Sequence, residues 1–598
     1  MPAWLLTLDR HVPIRYLMLV ACATTLSFGL WRDGLSSSPP GALTLVSAVL
    51  LGVGLHDLVQ KRHAVLRNYP VIGHLRFLLE WVRPELRQYF IESEHEATPF
   101  SRQQRSLVYQ RAKGVSDKRP FGTQRDLQSV GAEWLTHTLA PTQLAHADFR
   151  VLIGASSSCR QPYSASVFNI SAMSFCALSA AAIQALNAGA KQGGFAHDTG
   201  EGSISEHHRR HGGDLIWEIG SGYFGCRDAQ GRFDPQRYAE QAADPQVRMI
   251  ELKLSQGAKP GHGGVLPGPK VTAEIARARG VPVGVDCVSP AAHSAFSTPL
   301  ELMLFIERLR RLSGGKPVGF KLCIGHPWEW FALVKAMQAS RVTPDFIVVD
   351  GAEGGTGAAP LEFADHMGMP LLEGLQLVHD TLVGAGLRER IRIGCSGKIV
   401  SAFDIARAMA LGADWCNAAR GFMFALGCIQ AQACHTGACP TGVATQDARR
   451  QRALVVSDKT ERVARFHRHT LEALQELVQA AGLTHPGEFQ REHIVRRLAD
   501  GSTATLAQCH PQLSNGVLWA AERGEAPWPS PVYARDWPRA QVGAFSPLPA
   551  GVASSPSLGA EHAVAGIAEA GDDVAMVVEL PVDRGGVDRH VRVVGVEA

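Results

Sequence analysis

The chain has 598 residues, of which 45% are hydrophobic and 19% are charged, so it can bury one large core or several smaller ones. Its net charge of +3 is small for this length and no long basic run occurs, which argues against a nucleic-acid partner. The 12 cysteines are too sparse for a disulfide-stapled scaffold, and most stand singly among apolar or glycine-rich residues, as buried thiols of a reducing compartment do.

Two uncharged apolar runs, at 16–31 and 41–55, predict a membrane anchor in residues 1–64. A spanning helix needs about 20 apolar residues, and polar flanks can extend runs that are slightly short. Basic residues flank the pair on its outer sides: Arg10, Arg15, Lys61, Arg62 and Arg67. This distribution predicts a transmembrane helical hairpin in the inner (cytoplasmic) membrane, with the following domain facing the cytoplasm. The alternatives are a cleaved signal peptide over the first run and two buried core helices.

Residues 65–150 are predicted to form a mostly helical lead-in. From about residue 165, eight β-rich runs follow one another, each ending in glycines and a helical stretch: SVFNISAMS, GGFAHDTG, DLIWEIGSG, RMIELKLSQG, VGFKLCIG, FIVVDGAEGG, RIRIGCSGK and DWCNAARG. Strands that alternate with helices predict parallel βαβ units, and eight such units predict an α/β fold, the (β/α)8 TIM barrel. The rival doubly wound sheet is expected to carry a G-x-G-x-x-G turn after its first strand, and ISAMSFCALS is not such a turn.

The predicted barrel domain, residues 151–450, is followed by closing helices at 451–540 and by a tail at 541–598. The tail begins with a stretch rich in Ala, Gly, Ser and Pro that shows no periodicity. We therefore expect the tail to be poorly ordered. Two β-rich runs within it, VAMVVELPV and HVRVVGV, are the alternative, because they can pair as a hairpin.

The last two predicted strand ends have the composition of a phosphate site. In a TIM barrel the functional side chains lie at the C-terminal ends of the strands, and the last two strands commonly bind a phosphate through loop N–H groups. Gly397 and Lys398 precede a helix, whose N-terminus attracts anions, and Ala419 and Arg420 stand at the next strand end. The alternative is a pair of ordinary turns with a surface lysine and arginine.

A lysine follows the predicted fourth strand in a glycine-rich exit, together with Gln256. Because side chains alternate along a strand, this Lys253 shares a face with Glu251 and can point into the barrel. A buried lysine needs an anion, which a substrate carboxylate or a reduced flavin can supply. Glycine-rich turns often contain an acid, so the remaining polar residues of such turns are weaker candidates: Glu201, Asp350, Glu353 and Thr356.

The segment GCIQAQACHTGACPTGVATQ, residues 427–446, contains Cys428, Cys434 and Cys439. Structural zinc usually takes four ligands with paired C-x2-4-C spacing, and a redox pair has C-x-x-C spacing, so neither fits. Three cysteines followed by proline suit an iron–sulfur cluster, and three ligands suit a three-iron cluster. Free thiols are the alternative.

Five motifs resemble, in chain order, the FMN-binding synthase domain of glutamate synthases: SAMSFCALS, HDTGEGSIS, LKLSQGAKPGHGGVLPG, DGAEGGTGAAP and the cysteine segment. The lead-in runs RNYPVIGHLRFLLE and RSLVYQRAKG are similar to those of a shorter, membrane-anchored branch, the FMN-binding glutamate synthase family proteins. The resemblance implies a (β/α)8 barrel that holds FMN beside a 3Fe-4S cluster, with Cys428, Cys434 and Cys439 as its ligands.

The resemblance also implies a reaction. Electrons would pass from an external electron donor protein through the cluster to FMN, which reduces the imine of ammonia and 2-oxoglutarate, or a related oxo acid, to glutamate. By motif, Lys321 is expected to stabilise the anionic reduced flavin. The other implied residues are Ala172, Met173 and Ser174 at the flavin ring, Gly397, Lys398, Ala419 and Arg420 at its phosphate, and Glu201, Lys253 and Gln256 at the oxo acid.

Several differences from the family motifs bear on the substrate. The chain begins MPAW, without a nucleophilic cysteine after the initiator methionine, so we expect it to use free ammonia or a separate glutaminase subunit. Cys176 replaces a glycine, Asp198 replaces an asparagine, and Ala352 and Glu353 replace histidine and aspartate. Extra acid at the barrel mouth favours an amine-bearing substrate. The alternative functions are a membrane-linked amino-acid or amine dehydrogenase that passes electrons to a quinone or other carrier, and an inactive assembly or sensing subunit.

Overall fold

The computed structural model of the protein describes residues 14–35, 39–95, 98–155, 158–266, 268–357 and 359–549, and three strands between 566 and 595. The chain divides into two compact units, residues 1–102 and 103–598.

The first unit contains two apolar helices, Leu17–Leu35 and Ala42–Val59, that pack against each other. Gly29 lies so close to the second helix that a Cβ would come within 2.4 Å of the Thr44 hydroxyl oxygen. That hydroxyl donates a hydrogen bond of 2.7 Å to the Asp33 carboxylate, which ties the two helices together at the turn. Among the described helices, only Ala42–Val59 is long and apolar enough to cross a membrane, so the two-helix anchor stays a prediction.

The lead-in is helical only in its first half. Helices span Ala64–Asn68 and Gly73–Leu86, and a further helix, Arg102–Lys113, has all but its first residue in the second unit. No helix is assigned between Lys113 and residue 150 in the part of the chain that the structure describes, because Gly114 ends the helix and the stretch GVSDKRPFGT after Lys113 is rich in residues that favour turns. The strand Glu133–Leu135 lies there and pairs antiparallel with Ile494–Arg497, which in turn pairs with Thr503–Thr505.

Eight parallel strands close a barrel in the second unit, which confirms the predicted (β/α)8 TIM fold. Each strand pairs with its neighbour in chain order, and the last pairs with the first. All eight predicted runs contain one of these strands. The strands are β1 (Phe168–Ile170), β2 (His197–Asp198), β3 (Leu215–Ile219), β4 (Val247–Lys253), β5 (Val318–Leu322), β6 (Phe346–Asp350), β7 (Arg392–Ser396) and β8 (Trp415–Ala418).

Helices follow the strands and cover the barrel. Several begin with local capping: the Thr298 and Ser401 side chains each accept a hydrogen bond at the start of a helix, and Glu301 and Asp404 complete the capping boxes. The main helices are α1 (Ala180–Gly193), α2 (Glu206–Arg209), α3 (Pro235–Ala242), α4 (Pro299–Leu312), α5 (Pro327–Ser340), α6 (Leu371–Gly384), α7 (Ala402–Ala410) and α8 (Val456–Ala480).

A hairpin of Arg150–Ile153 and Tyr163–Ser166 plugs the N-terminal end of the barrel. Its buried Ile153, Tyr163 and Ala165 belong to one core cluster with residues near the starts of several strands, including Ile216 and Trp415. Because this end is filled by apolar packing, a ligand site is left to the opposite, C-terminal end, as in other TIM barrels.

The C-terminal region contains more than helices. The short helices Val517–Glu522 and Pro531–Asp536 pack on α6 and α5, beyond the strands at 494–505. In the tail, Gly566–Ala570, Asp573–Val578 and Arg592–Gly595 form an antiparallel sheet in which the second strand pairs with both others. The rest of the tail from residue 550, for which we predict poor order, lies outside the described residues.

Candidate active site

The loops after β4, β6 and β7 meet at the C-terminal end of the barrel. Asp350, the last residue of β6, accepts hydrogen bonds from the Ser396 hydroxyl at the end of β7 and, at 2.8 Å, from the Gly257 N–H in the β4 loop. A Cβ on Gly257 would come within 1.8 Å of the Gly351 carbonyl oxygen, so the motif glycine permits this close approach of two backbones. Asp350 therefore fixes the spacing of three loops.

Two cations, Lys398 and Arg420, lie at the ends of β7 and β8. Arg420 donates a 2.6 Å hydrogen bond to the Glu353 carbonyl oxygen. Lys398, held at φ +56°, makes no hydrogen bond or ion pair with any described residue. Burial and the Arg420 charge lower the pKa of Lys398. A Cβ on Gly355 would come within 2.7 Å of the Arg420 guanidinium, so glycine leaves room beside it. This cradle fits a phosphate group.

Some N–H groups near the helix N-terminus that is predicted to attract the anion are used within the protein. Helix α7 begins at Ala402 and starts with a capping box formed by Ser401 and Asp404. The Asp404 carboxylate accepts from the N–H groups of Val400 and Ser401, and the Ser401 hydroxyl oxygen accepts from Asp404 N–H at 3.1 Å. An anion here would depend mainly on the Lys398 and Arg420 side chains and on the loop around Gly397.

Lys253, Glu201 and Gln256, predicted to face the substrate, lie together at the mouth. The Lys253 ammonium is ion-paired with the Glu201 carboxylate and lies 3.4 Å from the Gln256 side-chain oxygen. Burial alone would raise the pKa of Glu201, but the Lys253 charge and hydrogen bond lower it to about 2. One Glu201 oxygen, Oε1, is buried and has no partner among the described residues, which leaves an acceptor for a ligand N–H.

Lys321 lies deeper, in a cluster of four buried ionisable side chains that we call the acid cluster: Asp198, Glu218, Glu251 and Lys321. The Lys321 ammonium is ion-paired with Glu218 and lies 3.1 Å from Glu251 Oε1. One oxygen from each acid lies within 4.8 Å of the others. Sequence reasoning missed Glu218, although an acid in the fully buried strand β3 was the available signal.

Burial and mutual repulsion oppose full ionisation of the acid cluster. Burial and then the charges of Glu251 and Glu218 raise the pKa of Asp198 well above its usual value. Burial raises the pKa of Glu251 to about 7, although the Lys321 ammonium opposes the shift. Burial disfavours the Lys321 charge, but the carboxylates of Glu218 and Glu251 outweigh it and raise its pKa. The Lys321 ammonium, which is predicted to stabilise the reduced flavin, is therefore largely neutralised by the carboxylates of Glu218 and Glu251.

We expect Glu251→Gln to alter the pH dependence of unfolding. Since the folded pKa of Glu251, about 7, lies above the unfolded value, the folded state binds the extra proton and is stabilised at low pH, and this stabilisation is lost as pH rises through 7. Buried histidines such as His197, whose pKa burial lowers to about 3, act in the opposite sense, so the test is the difference between proteins. The stability of wild type relative to the variant should fall by about 2 kcal/mol between pH 5 and pH 8 in denaturant titrations. A stability difference between wild type and variant that does not change with pH would contradict the raised pKa of Glu251.

The loop after β1 carries Ala172, Met173 and Ser174 at the mouth. Gly200, at φ +65°, packs against it, and a Cβ there would come within 2.6 Å of the Ser174 nitrogen. Cys176 has φ +102°, a conformation that strains any residue but glycine, which explains why the family motif has glycine here. The Arg279 guanidinium donates to the Cys176 sulfur at 2.9 Å.

The two acids that favoured an amine-bearing substrate are both engaged within the protein. The Glu353 carboxylate accepts the Leu371 N–H at 2.9 Å and caps helix α6, where a negative charge is favourable. Asp198 belongs to the acid cluster and is 1% exposed. The Glu353 charge acts on the neighbouring Lys398 and Arg420, where it opposes the lowering of their pKa values by burial.

The three cysteines form one loop with distinct environments. Burial opposes ionisation of Cys439, but hydrogen bonds from the Thr441 hydroxyl and from backbone N–H groups outweigh it and lower its pKa. Burial raises the pKa of Cys428 to about 11, and Cys434 is exposed. The three sulfurs do not all lie within the 4.8 Å of one another that would mark a single-ion site among the described residues. Among the three, only Cys439 has surroundings that favour a thiolate, because burial and the Cys439 charge also raise the pKa of Cys434.

The cysteine loop is bonded to the loops of the barrel mouth. Val443 accepts a 2.9 Å hydrogen bond from Ser179 N–H, and the Gln446 amide donates to the Cys176 and Leu178 carbonyls at 3.1 and 3.0 Å. On the other side, a Cβ on Gly357 would lie 3.3 Å from the Cys434 Cβ. A centre held by these cysteines would therefore lie beside the β1 and β6 loops.

Comparison with known proteins identifies the family. Residues 134–484 match the family model described as a conserved region in glutamate synthase. The glutamate synthase large subunit-like protein YerD of Bacillus subtilis is 39% identical over 506 residues, which are 78% of this chain and 96% of that protein. The archaeal glutamate synthase (NADPH) of Methanocaldococcus jannaschii is 35% identical over 315 residues, which are 52% of this chain and 58% of that protein. The chain therefore belongs to the glutamate synthase family and is an oxidoreductase of that type.

Proposed function

We propose that the protein catalyses the reductive amination of 2-oxoglutarate, or a related oxo acid, to glutamate, with FMN and a 3Fe-4S cluster as cofactors. The observation that carries the proposal is the bonding of the cysteine loop to the β1 loop, through Ser179 and Gln446, at the same mouth that holds the phosphate cradle and Lys253. This bonding supports a site in which electron entry, cofactor and substrate would lie side by side.

FMN, when bound, supplies the two-electron reduction of the imine carbon. Lys398 and Arg420 would hold its phosphate, since both are cations in a cradle that glycines keep open. Ala172, Met173 and Ser174 would line its ring from the β1 loop. The protein's own contribution is positioning and charge, as in other flavin enzymes.

The Lys253–Glu201 ion pair can bind both reactants of the amination, the oxo acid and the nitrogen compound. A substrate carboxylate would compete with Glu201 for the Lys253 ammonium, while Gln256 provides an adjacent amide. The unpartnered Glu201 Oε1 would accept a hydrogen bond from ammonia or the imine N–H. When the oxo acid binds Lys253, the Glu201 carboxylate is therefore released from its ion pair and can orient the ammonia or imine nitrogen.

Electrons would arrive through Cys428, Cys434 and Cys439 from an external electron donor protein. Relatives differ in the donor their names give: NADPH for the archaeal enzyme, and ferredoxin for a chloroplastic glutamate synthase of rice, 40% identical over 200 residues, 33% of this chain and 12% of that protein. Ammonia would come from solution or from a separate glutaminase subunit. The apolar helix Ala42–Val59 and its neighbour would anchor the protein in the inner membrane, with the barrel in the cytoplasm.

Arg420→Ala is expected to weaken FMN binding about 10- to 100-fold, because a charge-assisted hydrogen bond to phosphate contributes about 1.5–3 kcal/mol. Lys398→Ala should lose less of the FMN affinity, since an ammonium makes a single contact with the phosphate where a guanidinium can make two. Flavin fluorescence titration of the deflavinated protein measures both. Arg449→Ala, an exposed arginine outside the cradle, is the matched control. Unchanged FMN affinity in Arg420→Ala would place the phosphate elsewhere.

The proposed reaction is tested with anaerobically purified protein. We expect a flavin absorbance spectrum, bound iron, and glutamate formation that requires a reductant, 2-oxoglutarate and ammonia together. Lack of glutamate with low-potential chemical and protein donors, in protein that retains flavin and iron, would overturn the proposed substrate.

A further inference from the structure

The acid cluster places three carboxyl groups beside one ammonium in the barrel interior. Each of the four residues is at most 4% exposed. Glu218 and Glu251 both approach Lys321, whereas Asp198 has no cation within ion-pair distance among the described residues. Asp198 Oδ1 accepts the Gly200 N–H at 3.0 Å. Its other oxygen, Oδ2, and Glu251 Oε2 are buried without a hydrogen-bond donor among the described residues, whereas Glu251 Oε1 faces the Lys321 ammonium at 3.1 Å.

Three desolvated negative charges beside one positive charge are unfavourable. Carboxyl groups this close share protons instead, and a carboxyl O–H would also supply the hydrogen-bond donor that the unpartnered oxygens lack. A protonated Asp198 has nearly the shape of an asparagine, the residue of the resembling motif at this position, and like it offers one donor and one acceptor.

We propose that the acid cluster stores protons inside the barrel. In it, Asp198 is a neutral carboxylic acid, and Glu251 takes up a further proton when flavin at the mouth is reduced. The second half of the proposal rests on the proposed function, since it requires FMN near Lys321. The first half concerns the protein alone.

The charge balance explains the proton uptake. Two electrons from the donor and one proton from solvent give a flavin ring with one negative charge. Lys321 cannot balance that charge fully, because it is already paired with Glu218. A second solvent proton forms an O–H bond on Glu251, which removes one negative charge from the cluster, and it leaves again on reoxidation. Outside the cluster, the Asp350 carboxylate also acts on Glu251 and Lys321, and it is bonded to Ser396 and Gly257.

The first experiment needs no flavin. Infrared spectra of the full-length protein at pH 7, in H2O and D2O, should show a deuterium-sensitive band of a protonated carboxyl group that is missing from Asp198→Asn. This variant keeps the shape and the donor of the protonated acid, so it is expected to fold. Wild-type and variant spectra without such a difference would mean an ionised Asp198 and would overturn the first half.

The second experiment is a potentiometric titration of the bound flavin between pH 6 and pH 9. Each proton taken up per two electrons changes the equilibrium constant tenfold per pH unit, about 30 mV. Because the pKa of Glu251 is about 7, the wild-type slope should steepen above pH 7 from about 30 to about 60 mV per pH unit. Glu251→Gln should stay at the shallower slope, and Glu251→Asp should restore the steeper one.

The outcomes separate the two proposals. Equal slopes in wild type and Glu251→Gln, with flavin bound to both, would overturn proton uptake by Glu251 and leave the glutamate synthase proposal intact. A protein that binds no flavin would instead contradict the proposed function, and the infrared result would still decide the state of Asp198.

Discussion

Replacing Cys428, Cys434 or Cys439 with serine is expected to remove most of the bound iron while FMN stays in place. Serine cannot supply the thiolate that iron–sulfur clusters require, and each cysteine would be one of only three ligands. The phosphate cradle at Lys398 and Arg420 is separate from the cysteine loop, so flavin retention should not depend on iron. Turnover with the physiological donor should be lost, because the proposed electron path passes through this loop.

The measurements are iron content per flavin, the visible spectrum, and flavin reduction by the donor compared with reduction by dithionite. Dithionite, a small reductant, should still reduce the flavin in all three variants. Cys509→Ser is the control, because this partly exposed cysteine ends the helix Leu506–Cys509, outside the barrel. Full iron content and normal donor-driven turnover in any of the three loop variants would remove that cysteine from the electron path.

Lys253→Met should lower both turnover and stability. The substrate carboxylate would lose a charge-assisted partner, which corresponds to about a 10- to 100-fold loss in kcat/KM. Glu201 would be left as a mostly buried carboxylate without its cation. Its pKa, which the Lys253 ion pair lowers to about 2, would rise, and the stability linked to that low pKa would be lost. Removing one member of such a pair costs about 2–3 kcal/mol, which denaturant titration can resolve.

The double variant Lys253→Met/Glu201→Gln separates the two effects. The unpaired charge is absent in it, so we expect most of the stability to return. Activity should stay low, because neither the ammonium for the oxo acid nor the carboxylate for the nitrogen is restored. If turnover recovered together with stability, the ion pair would be structural and the substrate would bind elsewhere.

Much of the site could be predicted because its residues lie in contiguous motifs. Cys428, Cys434 and Cys439 share one loop, and Lys253 and Gln256 share one strand exit, so chain proximity alone brings them together. Lys398 and Arg420 end adjacent strands of a barrel, where parallel order makes them neighbours. The roles assigned to these residues stay predictions until the variants are measured.

Glu353 shows where prediction from the motif stops. Its replacement of the family residue indicated extra charge at the mouth, yet its carboxylate caps α6 at Leu371. That contact joins residues 18 positions apart through the shape of one loop, which no periodicity describes. The helix after β7 is a similar case, because its capping box uses the N–H groups of Val400, Ser401 and Asp404 at the helix end that was predicted to attract phosphate.

The sequence by itself determined the barrel, since alternation of β-rich and helical runs is a local property that eight units repeat. It also determined the cysteine loop and the two strand ends that we predict to bind phosphate. Only the tertiary structure decided the acid cluster, whose members come from β2, β3, β4 and β5 and span residues 198 to 321. Their contacts depend on strand register and on barrel closure, which set inward side chains from different strands against one another only when the sheet is complete.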